Sequence, residues 1–198
     1  MLEMVAGLNA LYARIDQQVK EFQLKTGLRC AAGCGVCCPT AEVHASVLEM
    51  LPAAHEILCR GASAFWLDRI EAEGTDGVCV FYANHRAPDA PGHCGLYAFR
   101  PTVCRLFGFA AVRIRTGAHE LSICKQVKRQ CPEAAAAARS LQGDAPCFAD
   151  VGVRVSSLDI SSGTRLMPIN EALRGAILRL GLTMQMSQGE ALGIVSAA

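Results

Sequence analysis

The residues of this chain best suited to chemistry are thiols. Cys30-Ala-Ala-Gly-Cys34-Gly-Val-Cys37-Cys38-Pro39 puts four cysteines within nine residues, where a core segment would supply branched apolar side chains. Sulfur at that density is metal-ligand chemistry. Cys34-x-x-Cys37 lets one tight turn present two thiolates to one ion or cluster, and Gly33 and Gly35 tolerate the positive φ such a turn needs. Cys37 and Cys38 are adjacent, so their side chains diverge. Either the pair serves two metals, or it bridges, or one of the two packs.

The remaining cysteines fall into two groups. Cys94 and Cys104 lie on either side of an Arg100-Pro101 turn, a spacing suited to one ligand on a loop and one on a following short helix. Cys124 ends a segment that returns toward Cys104. By contrast, Cys59 falls in the apolar register of a helix and reads as a small buried hydrophobe. Cys131 and Cys147 read as plain thiols. Among the histidines His93, beside Cys94, has the best claim to the site, whereas His44 and His55 are expected on helices away from any cysteine.

Disulfides are the competing explanation for eleven cysteines. The first ten residues have neither a basic stretch nor an unbroken apolar run, so the expected location is cytoplasmic, where thiols stay reduced and clustered cysteines act as ligands. A formal charge of +1 gives no global electrostatic reason to bind nucleic acid or an anionic membrane. No apolar run approaches the roughly eighteen residues of a membrane span. There is no Ser/His/Asp arrangement, no motif of paired carboxylates and no glycine-rich nucleotide loop.

These thiols need a scaffold, and the apolar pattern predicts a mainly helical α+β fold: amphipathic helices around a loop-rich, cysteine-ligated lobe with a short β-hairpin. Met4, Val5, Leu8, Leu11, Tyr12, Ile15, Val19 and Phe22 mark one helical face, with Asp16 among the residues of the opposite face and Gly27 as the stop. Thr40 is the expected N-cap of a second helix, which Pro52 interrupts. A further helix runs through Ile57, Trp66 and Ile70, bent at Gly61. Val78–Tyr82 reads as extended and 84–92 as loop. Residues 109–115 and 120–124 flank a turn as a hairpin. Pro132 opens an alanine-rich helix. Residues 143–163, including Val151-Gly-Val-Arg-Val155, read as loop and extended chain, and a last helix runs from Pro168 to Gly181 with a fraying tail. The whole of 1–198 is expected to form a single domain.

Taken together, Cys30-x-x-Gly33-Cys34-x-x-Cys37-Cys38, Cys79-Val-Phe, and Cys94-Gly-Leu-Tyr97-x-x-Arg100-Pro101-x-x-Cys104-Arg105 resemble the YkgJ-like CxxCxxCC cysteine-cluster family of bacterial proteins. The resemblance covers about residues 30–124, leaving helical extensions at both ends. It implies chelation of zinc or iron by Cys30, Cys34, Cys37, Cys38, Cys79, Cys94, Cys104 and Cys124. Eight thiols suit two four-thiolate sites, or one site with some cysteines packed around it. One extra residue separates the first two cysteines relative to the family pattern, an arrangement in which Cys30 can lie off the site.

Charge placement supports an anionic centre. Between residues 100 and 129 stand seven basic residues and one acid, and a zinc ion or a [4Fe–4S] cluster held by four thiolates is negatively charged overall. Arg100 and Arg105 are the expected partners of that charge. Vicinal cysteines and nearby guanidinium groups favour an iron–sulfur cluster over zinc. The reading is therefore a cytoplasmic protein that binds metal, in a structural or redox role, with a protein partner of unknown kind. A flagellin lysine methylase carries a similar cysteine block with an iron–sulfur cluster. An iron–sulfur enzyme, methyltransferase-like or an oxidoreductase, is thus one alternative, and a thiol-redox or zinc-storage protein is another.

Overall fold

The computed structural model describes residues 1–83 and 92–195. The fold is mainly helical α+β, and its strands are short antiparallel pairs. The chain opens with α1, Leu2–Thr26, whose buried stripe is the apolar face read from the sequence; Gly27 ends it in the left-handed conformation, with φ 75°. After the cysteine-rich turns come β1, His44–Ala45, and α2, Val47–Cys59.

The second helix corrects two expectations. Its N-cap is Ser46, not Thr40: the Ser46 hydroxyl accepts from the Glu49 N–H, and the Glu49 carboxylate accepts from the Ser46 N–H, a capping box. Pro52 does not interrupt it. The proline removes one backbone bond, but the whole run Leu48–Ala54 is buried, with α2 packed against α1 and a C-terminal helix. That burial outweighs the lost bond.

Gly61, with φ 64°, separates α2 from α3, Ser63–Glu73, as a break instead of a bend. Of the predicted extended stretch 78–82, only Tyr82 is in a strand, β2, Tyr82–Ala83, which pairs with β3, His93–Cys94. Most of the expected loop 84–92 lies outside the described residues. A 3₁₀ turn, Tyr97–Phe99, leads to α4, Thr102–Leu106. The hairpin forms as read, from β4, Ala110–Arg113, and β5, His119–Ser122. Then come α5, Lys125–Gln130, and α6, Pro132–Ser140, which starts at its proline.

The segment read as extended around Val151 is instead α7, Phe148–Ser156, followed by α8, Ile160–Gly163. The alternating valines mislead. In a strand Val151, Val153 and Val155 would share a face, but here Val151 and Val155 are buried one helical turn apart while Val153 is 68% exposed. After β6, Met167–Pro168, which pairs with β1, comes α9, Ile169–Val195. Gly181 does not end it. A Cβ there would lie 3.5 Å from Leu58, so the glycine sits where α9 passes close to α2, and the helix runs on through the expected frayed tail. Residues 196–198 lie outside the described residues.

Candidate metal centre

The cysteine-rich segment folds as two successive turns, closed by the Cys34 N–H to the Ala31 carbonyl at 3.1 Å and the Cys38 N–H to the Gly35 carbonyl at 2.9 Å. Gly33 has φ 70°. Gly35 is required for a different reason: a Cβ there would fall 1.9 Å from the Gly92 carbonyl oxygen. This backbone-on-backbone contact docks the Cys34–Cys38 turn beside β3, which carries Cys94.

Across the small hairpin, Tyr82 is opposite Cys94. The Tyr82 N–H donates to the Cys79 carbonyl and the Gly95 N–H to the Phe81 carbonyl, so Cys79 and Cys94 are held on one short unit. Pro101 starts α4, where the Cys104 N–H donates to the Pro101 carbonyl at 3.1 Å. Four separate pieces of chain thus bring Cys37 and Cys38, Cys79, Cys94 and Cys104 within reach of one another's charge.

The thiols register that crowding. Burial pushes Cys79 up to about 11, with Cys94 adding to the shift. Burial raises Cys94 too, against the pull of the Leu96 N–H and Arg100. Cys104 is accessible at the surface yet is also raised, first by the protein packed around it and then by Cys79, Cys94 and Cys37. Cys38 rises chiefly because it donates to Cys37, and that hydrogen bond, with help from Arg100, lowers Cys37 to about 6. Thiols that resist ionisation first because they are buried and then because other thiols stand near them are relieved by a bound cation.

A second group stands beside the first. Cys30 is exposed, and burial of its sulfur followed by the nearby Cys34 raises it to about 11; Cys124 and Cys37 add smaller shares. Cys124 follows the β4–β5 hairpin as expected, and a Cβ on Gly108, just past α4, would lie 3.3 Å from the Cys124 Cβ. Cys37 touches the field of both groups. All eleven cysteines are free thiols, and among the described residues no three His, Cys, Asp or Glu side chains are already closed around a metal position.

The two arginines read from the sequence have different roles. Arg105 is buried, and each of its guanidinium nitrogens is occupied: Nε donates to the Arg100 carbonyl at 2.9 Å, Nη2 to the Ala98 carbonyl and Nη1 to Asp16. Its Cζ stands 4.2 Å over the Tyr12 ring. Arg105 therefore clamps the Ala98–Arg100 turn onto α1. Arg100 is the one whose charge meets Cys94, Cys104 and Cys37. It stacks 3.6 Å over Tyr97, and its Nη2 lies 3.7 Å from Asp16. Its buried Nε and Nη1 have no hydrogen-bond partner among the described residues. The other basic residues of the run, Arg113, Arg115, Lys125, Lys128 and Arg129, are exposed, and Arg113 pairs with Asp150 at 2.6 Å. They form a solvated face.

Sequence reading missed three supporting residues. Asp16, assigned to the outer side of α1, contacts both arginines. Tyr12, one turn earlier, donates its hydroxyl to the Glu49 carbonyl. The Glu49 side chain, besides capping α2, accepts from the Thr102 N–H at the start of α4. Their only signal was the four-residue spacing of Tyr12 and Asp16 and the Ser-x-x-Glu capping pattern. Outside the lobe, Cys59 is exposed, not buried, and its sulfur lies 3.6 Å from His55 Nε2, one turn away on α2. His44 lies in β1 instead of a helix. Cys147 is buried beside Ala111 and Cys131 is exposed.

A family model, CxxCxxCC, with the description "Putative zinc- or iron-chelating domain", matches residues 29–132, just over half of the chain. No curated protein and no solved structure matches it.

Proposed function

The chain belongs to the CxxCxxCC family, and from that premise we propose that it is a metal-binding protein whose lobe holds an iron–sulfur cluster, in a structural or redox role. The observation that carries the reading is the gathering of Cys37, Cys38, Cys79, Cys94 and Cys104 from four pieces of chain around the half-buried Arg100. The donors are soft thiols without a carboxylate among them, which suits zinc or iron and not magnesium or calcium. Five thiols cover the four that a closed zinc site or a [4Fe–4S] cluster takes. A guanidinium group with unpartnered N–H groups suits a unit with several sulfur acceptors.

In this reading four of the five thiols hold the cluster, and Cys30, Cys34 and Cys124 gather as a second group linked to it through Cys37. When bound, the cluster supplies one-electron chemistry or structural cross-linking. The chain supplies the thiolates, the turn geometry set by Gly35, and the positive charge of Arg100. Anaerobic purification followed by an absorption spectrum and elemental analysis tests the proposal. A brown protein with iron and sulfide supports it, a colourless one with stoichiometric zinc replaces the cluster by an ion, and a protein with neither metal ends it.

A further inference from the structure

One acid of the helical core reaches the arginines of the lobe. Asp16 lies on α1 and places one carboxylate oxygen against Arg105 and the other toward Arg100. Arg105 does not depend on this acid alone, since two backbone carbonyls and the Tyr12 ring also hold it. Arg100 has fewer constraints. The Tyr97 ring and Asp16 fix its guanidinium group, and its Nε and Nη1 are buried with no hydrogen-bond partner among the described residues. Leaving such donors unmatched is costly, so an acceptor is expected there.

Resting on the metal reading above, we infer that Asp16 is a positioning residue of the metal centre. Its carboxylate turns Arg100 so that the free Nε and Nη1 N–H groups donate to the sulfurs of Cys94 and Cys104 once these carry metal. The chemistry favours this use. A metal-bound thiolate keeps lone pairs that accept hydrogen bonds, and a guanidinium group offers fixed donors that a lysine would not. Donation to the sulfurs draws off part of their negative charge, which lowers the cost of crowding several thiolates together. Asp16 also offsets the charge of a half-buried arginine, keeping the arm in place when the site is empty of charge. The helical core thereby reaches into the metal site by one ion pair.

The test is a double-mutant cycle on the full chain, with zinc alone and cobalt alone as probes. Asp16→Asn is expected to weaken zinc binding, measured by chelator competition, by about tenfold, the lower end of the range for removing an outer partner of a metal ligand. It should also shift the sulfur-to-cobalt charge-transfer band to lower energy, because sulfurs that lose hydrogen bonds become stronger electron donors. Asp16→Glu should restore both. In an Arg100→Gln background Asp16→Asn should change neither, because the acid acts through the arginine. Helical circular dichroism of each variant checks that α1 still folds. The inference is overturned if Asp16→Asn leaves zinc affinity and the cobalt band unchanged, or if its effect persists undiminished without Arg100. If the unaltered chain takes up neither metal and, purified anaerobically, carries no iron, the metal reading itself fails. If it binds both while the cycle is additive, only the role of Asp16 fails.

Discussion

The helical core and the cysteine lobe are held together by different physics. In α1, α2 and α9, side chains such as Leu8, Ile15, Leu48, Ile57, Leu173 and Leu180 are almost fully buried, and each contributes about 1.5–3 kcal/mol by leaving water. The lobe has strands of two residues, accessible cysteines and exposed side chains at Val36, Tyr97 and Phe107. Backbone contacts at Gly35 and Gly92 and polar clamps at Glu49, Asp16 and Arg105 do the work that apolar packing does elsewhere. On the proposed reading a bound cation completes a region built this way, whereas the core is complete without one.

Metal removal should expose that contrast most strongly. Structural thiolate sites stabilise small domains by about 10–16 kcal/mol, comparable with the whole net stability of a typical domain. Stripping the metal with a strong chelator is expected to abolish hydrogen-exchange protection across residues 30–38 and 93–104 while the amides of α1, α2 and α9 stay protected. Equal loss in both regions would break the comparison, since it would mean that the core also depends on the metal.

Acid should act on the lobe next. Cys79 at about 11, and Cys94, Cys38 and Cys104, all raised, carry protons at neutral pH and must release them to ligate. Metal affinity should therefore fall as pH falls, about tenfold per unit for each proton released. Cys37, near 6, adds to the slope only below that value. The metal-free lobe should behave in the opposite sense. A thiol whose folded pKa exceeds its unfolded 9.0 favours the fold below pH 9, and that contribution is lost as pH rises through about 11. A chelator titration from pH 6 to 8, and thermal unfolding of the stripped protein from pH 8 to 11, check the two signs.

The core gives the converse experiment. Leu8→Ala removes a fully buried side chain on α1 and should cost about 2–5 kcal/mol in denaturant unfolding. Metal stoichiometry should remain that of the unaltered chain. If this substitution also releases metal, the two regions are coupled through packing and not only through the polar links at Asp16 and Glu49.

The same difference in physics explains what the sequence disclosed. The stripe of α1, the Gly27 stop, the Pro132 helix start and the β4–β5 hairpin are local patterns, and each formed where it was read. Pro52 and Gly181 went astray because tertiary burial between α2 and α9 overrode local breaker chemistry. The valines of α7 offered a period of two that burial does not follow. In the lobe, residue types pointed to the chelating family, but no spacing rule reveals that Cys37 stands near Cys94 and Cys104 while Cys30 keeps with Cys34 and Cys124. Asp16 was hidden for a related reason: an acid on a polar helix face looks solvated until the partner arriving from residue 100 is known.

The two glycines of the knuckle give the smallest and sharpest test of how the lobe is assembled. Both lie in the same ten-residue segment, and an alanine would strain each for a different reason. At Gly33 the surroundings are open, so the penalty comes from φ 70° alone, about 1–2 kcal/mol for a side chain in the left-handed region. That penalty is local, and it should leave metal affinity nearly unchanged once the turn has formed. At Gly35 the added Cβ meets the Gly92 carbonyl oxygen at 1.9 Å, backbone against backbone, and neither segment can yield without separating Cys37 and Cys38 from Cys94. Overpacking of this kind costs about 1–3 kcal/mol, and here it falls on the geometry of the ligands. Gly35→Ala should therefore weaken zinc binding by about tenfold or more, and Gly33→Ala should not. Equal effects would mean that the lobe tolerates a looser knuckle. The reverse order would mean that turn conformation, not docking onto the β2–β3 hairpin, brings the thiols together.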